Sequence, residues 1–281
     1  CNNLGLIYTE LGEFKKASSY YEKATKIEPE NLSYLYYLNI IGKKIINKNS
    51  EKKVKEIVNN NSSSQKNKAY GFFLLSKYEE VEKNYKKEFD LLIKGHKLFF
   101  NSEGKKYEEG LKYWLKELPK INDIKIDNNI SNNDIEKIKP IFIVGVPRCG
   151  STLIEKIISS GEEKIPMGEE TGYLQSFFKT EEIVSKNFLK ANDINYYNKY
   201  LTAKYKKNKF IKDNLIFTDK SLENFFYIKI INSIFPKAKI INCRRDPLST
   251  VMSTLKDNLS DLAWAHNLEY IFKYFEKVAY F

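Results

Sequence analysis

Between positions 141 and 152 the chain reads Ile-Phe-Ile-Val and then Gly-Val-Pro-Arg-Cys-Gly-Ser-Thr, and this stretch constrains the fold more than any other. Four consecutive apolar residues suit a strand buried on both faces of a parallel sheet. Residues 145 to 152 fit G-x-x-x-x-G-x-[ST], a loop whose glycines let backbone N–H groups turn inward on a phosphate while the following helix points its positive end at the anion. Loops that hydrolyse nucleotides place a lysine before the final hydroxyl residue and a metal on that hydroxyl. Here Ser151 holds the lysine's place, and the cation is Arg148, inside the loop. Ser151 and Thr152 add hydroxyl donors. The alternative is a tight strand-to-helix turn with no ligand.

The same grammar recurs downstream. Leu153 to Ile158 begins a helix, Leu215-Ile216-Phe217 is a second strand, Phe225 to Ile234 a helix, Ala238 to Cys243 a third strand, and another helix starts at about Leu248. Alternating strands and helices imply a parallel sheet with right-handed crossovers. Upstream the grammar is helical. Leu4, Gly5, Tyr8, Gly12, Phe14, Ala17, Tyr21, Ala24 and Pro29 fall at the spacings of a tetratricopeptide repeat (TPR), which residues 1–30 resemble. Small residues at Gly5 and Ala17 let two antiparallel helices approach, Tyr8, Tyr21 and Ala24 fill their seam, and Pro29 ends the second helix. One helical pair cannot bury its face alone. Residues 32 to 58 read as a degenerate second unit, Asn59 to Gln65 as a polar break, and 69 to 118 as further helices, with Tyr70, Phe73, Leu74 and Tyr78 at core spacing. The expected organisation is α plus α/β: TPR-like helical repeats over 1–118, an Asn-rich linker over 119–138, and a P-loop-like parallel-sheet domain over 139–281, cut short at its C-terminus.

Composition narrows the function classes. The 281 residues suffice for two domains with cores of their own. The net charge of +11 comes from lysines spread along the chain, a compositional bias rather than a nucleic-acid footprint, and it would also suit a polyanionic small cofactor. Cys1, Cys149 and Cys243 show no C-x-x-C pattern, so neither a disulfide framework nor a zinc site is expected. Cys243, ending an apolar strand, reads as inert core. His96 and His266 stand far apart and unpatterned, against a metal or a triad. No apolar run reaches the roughly 18–20 residues of a membrane helix. A reduced cytoplasmic compartment is the default. An upstream signal or anchor stays open, because the chain begins with Cys inside a repeat and ends at Phe281 in what reads as a helix.

The run Pro147-Arg148-Cys149-Gly150-Ser151-Thr152-Leu153 resembles the 5′-phosphosulfate-binding loop, P-R-S-G-T-T-L, of sulfotransferases that use 3′-phosphoadenosine-5′-phosphosulfate (PAPS). Cys149 replaces the usual Ser, and a lost hydroxyl donor there would cost about 1 kcal/mol of affinity. Gly168-Glu169-Glu170-Thr171 is similar to the G-E-E-T of the tyrosylprotein sulfotransferase branch, whose second Glu is the general base; the resemblance implies that role for Glu170. That branch has an Arg two residues later, where this chain has Gly172, so peptide-tyrosine specificity stays open. The bland reading of Glu169 and Glu170 is a solvated acidic pair. Thr218-Asp219-Lys220, Phe235-Pro236-Lys237-Ala238-Lys239, and Arg244-Arg245-Asp246-Pro247 with Ser253 resemble the family's D-K, F-P-x-A-K and R-D-P-(x)5-S elements. The resemblance implies Lys220 at the sulfuryl group and bridging oxygen, and Arg245 and Ser253 on the 3′-phosphate. Asp246 reads as a helix cap; Arg244, Lys237 and Lys239 read as solvated charge.

The two resemblances imply a TPR–sulfotransferase fusion that moves a sulfuryl group from PAPS to an acceptor hydroxyl, protein tyrosine among the candidates, with no metal. Pro147 to Leu153, Arg245 and Ser253 would hold the cofactor, Glu170 would take the acceptor proton, and Lys220 would neutralise the leaving oxygen. The implied partners are PAPS, the acceptor and a peptide or protein on the TPR surface, without nucleic acid. Two rivals stay open: a P-loop phosphotransferase acting on ATP, and a TPR scaffold with a degenerate nucleotide-binding domain.

Overall fold

The computed structural model describes residues 2–42, 47–127, 138–180, 188–212 and 214–279. Cys1, Phe281 and positions 128–137 of the expected linker lie outside the described residues. The chain divides into two compact units, Cys1–Glu109 with Leu255–Tyr270, and Gly110–Thr254 with Ile271–Phe281. Among the described residues no helix is long and apolar enough to cross a membrane.

The first unit is helical. Helix α1 (Asn2–Glu10) packs on α2 (Phe14–Ile27), α2 on α3 (Leu32–Gly42), α3 and α4 (Lys48–Asn59) on α5 (Gln65–Val81), and α5 on α6 (Tyr85–Glu103). A Cβ at position 5 would lie 2.7 Å from the Tyr21 ring, so the first seam closes at this distance only around Gly5. Ala17 and Tyr21 are fully buried in it, with Tyr8 and Tyr37 against them. The polar break before α5 is also its start signal, because the Ser64 hydroxyl accepts from the Asn67 amide at 3.2 Å. Tyr70, Phe73 and Leu74 are buried as their spacing predicts, while Tyr78 is half-buried.

The two histidines, remote in sequence, meet in this unit. His96 and His266, 170 residues apart, meet through their Nδ1 atoms at 3.0 Å. His96 Nε2 donates to the Leu255 carbonyl at 2.8 Å, and the Tyr107 hydroxyl sits 3.2 Å from His266 Nε2 and 2.6 Å from the Ser260 carbonyl. Sequence distance is no measure of spatial distance once Leu255–Tyr270 folds into the helical unit. Burial pushes His96 down to about 4, and burial with the neighbouring ring pushes His266 down to about 3, so both are neutral imidazoles.

The second unit carries the sheet. Strand β2 (Lys139–Gly145) lies between β4 (Ile216–Asp219) and β5 (Lys239–Cys243), all parallel, while β1 (Lys125–Ile126) and β3 (Phe188–Leu189) form a separate parallel pair. Every residue of β2 after Lys139 is buried, which is why its sequence runs apolar without alternation. The register sets Phe142 beside Asp219 and Gly145 beside Cys243, so the loops leaving the three strands emerge at one end. Parallel sheets bind ligands at that end. Helices α8 (Ser151–Ser159) and α12 (Pro247–Leu255) follow β2 and β5.

Two stretches differ from their expected form. Between β4 and β5 the chain makes a 3-10 helix (Leu222–Tyr227) before α11 (Ile228–Ile234). Asn224 through Tyr227 are four successive buried residues, and an α-helix would turn one of them outward on a half-buried surface. Within the expected linker, a 3-10 helix (Leu118–Asp123) buries Leu118 and Ile121.

Candidate functional site

The turn from β2 into α8 is held by two left-handed residues. Gly150, at φ 96, caps α8, and Arg148 adopts φ 70. A non-glycine residue there carries backbone strain of order 1 kcal/mol, which persists only where the surroundings fix it. Arg148 Nε donates to Ser253 Oγ at 3.1 Å, and Arg245 Nη1 reaches the Arg148 carbonyl at 3.5 Å, the outer limit of a hydrogen bond. The loop arginine, the arginine after β5 and the serine on α12 thus meet. Both guanidinium groups are exposed and Ser253 is half-buried. Such a group of forked donors suits a phosphate. Asp246 caps α12 by accepting from the Ser249 amide at 2.7 Å, as read from sequence.

The other loop positions divide by direction. Ser151 is buried at the first turn of α8, Thr152 is exposed and Pro147 half-buried. The Leu153 side chain is exposed to solvent, and its amide bonds the Gly150 carbonyl at 3.0 Å. Cys149 corrects an expectation. Its thiol turns into the core with Ile143 and Cys243, and its amide donates to the Val146 carbonyl at 3.3 Å. The position therefore packs the floor of the loop instead of lacking a donor toward a ligand. Burial, with the adjacent Cys149 thiol, pushes the Cys243 thiol up to about 11, as fits an inert core cysteine.

The end of β4 presents a lysine. Lys220 is buried, and its Nζ pairs with Glu170 Oε1 at 2.6 Å; the lysine side chain is 7% exposed and the glutamate 66%. The chain around Glu170 is stapled to the strand. Gly168 donates its amide to Thr218 Oγ1 at 3.1 Å, and a Cβ there would fall 2.0 Å from the Thr218 carbonyl oxygen. Glu169, at φ 58, donates its amide to Glu155 Oε1 and accepts from the Lys220 amide at 2.8 Å. Gly172 donates to Ser221 Oγ at 2.9 Å; at φ 59 its backbone favours the glycine found where the tyrosylprotein pattern has Arg. Asp219, fully buried, accepts from Thr171, Tyr205, Ser221 and Asn224. Four donors are what a buried carboxylate requires. Burial and that carboxylate push the Tyr205 hydroxyl up.

Thr152, Glu155, Met167, Glu169, Glu170 and Lys220 line one cleft of about 290 Å3, which joins the first turn of α8 to the lysine–glutamate pair. A more apolar hollow of about 420 Å3, lined in part by Val146, Arg245, Thr250, Phe272 and Phe275, borders the loop as well. Among the described residues no cluster of three or more His, Cys, Asp or Glu could hold a metal. Sequence reasoning missed Glu155, which sits on the inner face of α8 and accepts from Thr218 Oγ1 at 2.6 Å. Its signal was a charge next to the apolar Ile154 and Ile158. It also missed Glu223, whose carboxyl is pushed up to about 7 by burial and the nearby Asp219 and Glu170, against the pull of Lys220.

Comparison with known proteins agrees with this geometry. Residues 140–276 match a sulfotransferase family, and residues 1–31 match the tetratricopeptide repeat. An uncharacterized protein of Aquifex aeolicus (strain VF5) is 24% identical over 214 residues, 73% of this chain and 28% of that protein, so the chain spans little more than a quarter of that relative's length. No solved structure matches. Residues 140–276, which contain the strand-end lysine and its glutamate partner, thus carry the match to a sulfotransferase family, and residues 1–31 the match to the tetratricopeptide repeat.

Proposed function

We propose that the chain transfers a sulfuryl group from PAPS to an acceptor hydroxyl. The observation that carries this reading is the Lys220–Glu170 pair in a cleft that also contains Thr152 of the phosphate loop. The residues fit the donor's chemistry. The Arg148, Arg245 and Ser253 group offers two guanidinium forks and a hydroxyl to a 3′-phosphate. The glycine-bracketed loop from Pro147 to Leu153, with Ser151 and Thr152 at the N-terminus of α8, suits the 5′-phosphosulfate.

In this reading PAPS supplies the activated sulfuryl group, and the protein orients it and neutralises charge. Lys220, buried and cationic, stabilises negative charge developing on the leaving oxygen. Glu170, largely exposed, can leave the lysine and take the acceptor's proton. Residues 1–118 act as a repeat surface for a peptide or protein, 119–138 as the connection and 139–281 as the transferase part. A peptide tyrosine is the finer form of the acceptor proposal.

The test separates cofactor binding from turnover. Glu170→Ala should bind adenosine 3′,5′-bisphosphate nearly as well as the parent while sulfuryl transfer falls about 10²–10⁴-fold. Equal loss of both would make Glu170 a structural residue. A titration in which ATP outcompetes PAPS would instead favour the phosphotransferase.

A further inference from the structure

We propose that Glu155 is a positioning residue for Glu170: it clamps the Gly168–Glu169 turn to α8, so that the proton acceptor and the bound donor share one rigid frame. The inference rests on the reading of Glu170 and Lys220 as the reacting pair.

The clamp begins with the inner face of α8. Ser151 and Glu155 are four residues apart and so share one side of the helix, and both are buried, at 6% and 2% exposed. A carboxyl group so buried needs hydrogen-bond donors. Glu155 Oε1 has two, the Thr218 hydroxyl at 2.6 Å and the Glu169 amide at 3.1 Å. The Thr218 hydroxyl in turn accepts from the Gly168 amide at 3.1 Å. Two successive amides of the turn are thus held by one joined pair of side chains, Thr218 on β4 and Glu155 on α8.

Glu169 carries the consequence. Its N–H is tied to the helix, and its carbonyl accepts from the Lys220 amide at 2.8 Å, which ties it to the strand end. Between the two ties its φ is 58, a conformation that a non-glycine residue keeps only where its surroundings enforce it. The next residue is Glu170, whose Oε1 meets Lys220 Nζ at 2.6 Å. The enforced backbone of Glu169 therefore sets the direction from which Glu170 enters the cleft that Thr152 and Glu155 also line. Both bonds of Glu155 Oε1 go to the turn and its strand, so its effect is one of position.

The choice of helix matters. In the proposed reaction α8 begins at the loop that holds the phosphosulfate. Tying the Glu170 turn to the same helix fixes the base relative to the donor. A misplacement of about 1 Å between reacting groups can cost about 10²-fold in rate.

Three variants of the full chain separate position from charge and from folding. Glu155→Leu removes the acceptor oxygen. Its kcat should fall about 10²-fold with KM for PAPS unchanged, because the bonds that shape the phosphate loop, Cys149 to Val146 and Leu153 to Gly150, do not involve residue 155. Glu155→Gln keeps an acceptor oxygen without the charge and should recover most of the rate. An E155Q as slow as E155L would mean that Glu155 acts by charge, and equal losses of kcat and PAPS affinity in E155L would make it merely structural; either overturns the inference. Amide exchange without PAPS reads the clamp directly. Glu169 is exposed, so its amide owes its protection to the bond with Glu155. That amide should exchange faster in E155L and at the parental rate in E155Q, with β2 unchanged. Parental exchange at Glu169 in E155L, or faster exchange throughout β2, would also overturn the clamp. Should E155L fail to fold, Thr218→Val, which keeps the shape and removes the shared hydroxyl, carries the test: kcat should fall several-fold and the Gly168 amide exchange faster, and parental values for both would refute the proposal. A parent chain that shows the protected Glu169 amide but no transfer from PAPS would retain the inference about the turn and lose the proposed reaction.

Discussion

The helical unit and the sheet unit both bury ionisable side chains, yet they satisfy them in opposite ways. In the helical unit His96, His266 and Tyr107 close on one another and on backbone carbonyls, and Phe99 stacks on the His266 ring at 5.0 Å. Both rings of the network are neutral. In the sheet unit the buried Lys220 has a counter-ion that is two-thirds exposed, and the residues that bring the parts together, Arg148 and Glu169, hold left-handed backbone. A pair with one partner in water opens at low cost, whereas a neutral pair packed among aromatic rings does not. A buried ionisable group therefore marks chemistry when its partner reaches water, and a cleft alone does not, since one of about 470 Å3 also borders His96 and His266.

The largest expected effect tests the sheet side of that contrast. Lys220→Met removes the buried cation and leaves its bulk. Sulfuryl transfer should fall about 10²–10³-fold, the usual cost of losing one charge-stabilising group at a reacting centre. Single-turnover rates with PAPS measure it. A loss under ten-fold would put the lysine in the same class as the histidine pair.

The histidine pair should show itself in stability. Both rings are basic groups whose folded values lie below that of the unfolded chain, so the unfolded chain takes protons first as pH falls. Their contribution is complete above about pH 6.5 and is lost progressively toward pH 4. By pH 4 the loss should reach about 3 kcal/mol for each ring, read from amide exchange of α6 in the whole chain. His266→Gln should flatten this dependence without moving the pH profile of transfer. A change in that profile would erase the distinction between the two regions.

The parts legible in the sequence are those set by local physics. The apolar run of β2, the start of α8 and the Asp246 cap follow from neighbours a few residues apart. The motifs put Arg148 in the loop after β2 and Arg245 with Ser253 after β5, and hydrogen bonds join Arg148 to both. What escaped depends on long-range packing. The histidine contact spans 170 residues and has no period to betray it. Glu155 serves the loop from the inner face of α8, where its type alone suggests solvent. The direction of Cys149 is fixed by a left-handed neighbour on each side, which residue identity does not announce for Arg148.

Arg245→Ala sharpens the comparison within the sheet unit, since its side chain is exposed and stabilises little. Binding of adenosine 3′,5′-bisphosphate should weaken about 10–100-fold by calorimetry, the span of a charge-assisted hydrogen bond. Unfolding should be unchanged. An equal loss for ATP, which lacks the 3′-phosphate, would move Arg245 away from that group.

The smallest effect decides to which side of the comparison Cys149 belongs. If the residue at 149 faced the ligand, Cys149→Ser would restore a hydroxyl donor and tighten bisphosphate binding about five-fold, the worth of roughly 1 kcal/mol. The packing argues otherwise. The thiol lies among Ile143, Ile154 and Cys243, and a hydroxyl in its place would be a polar group in an apolar pocket. The expected result is a stability loss of about 1 kcal/mol in denaturant unfolding with affinity unchanged. Tighter binding at undiminished stability would mean that the loop turns its 149 side chain toward the anion, and the core reading of Cys149 and Cys243 would fall.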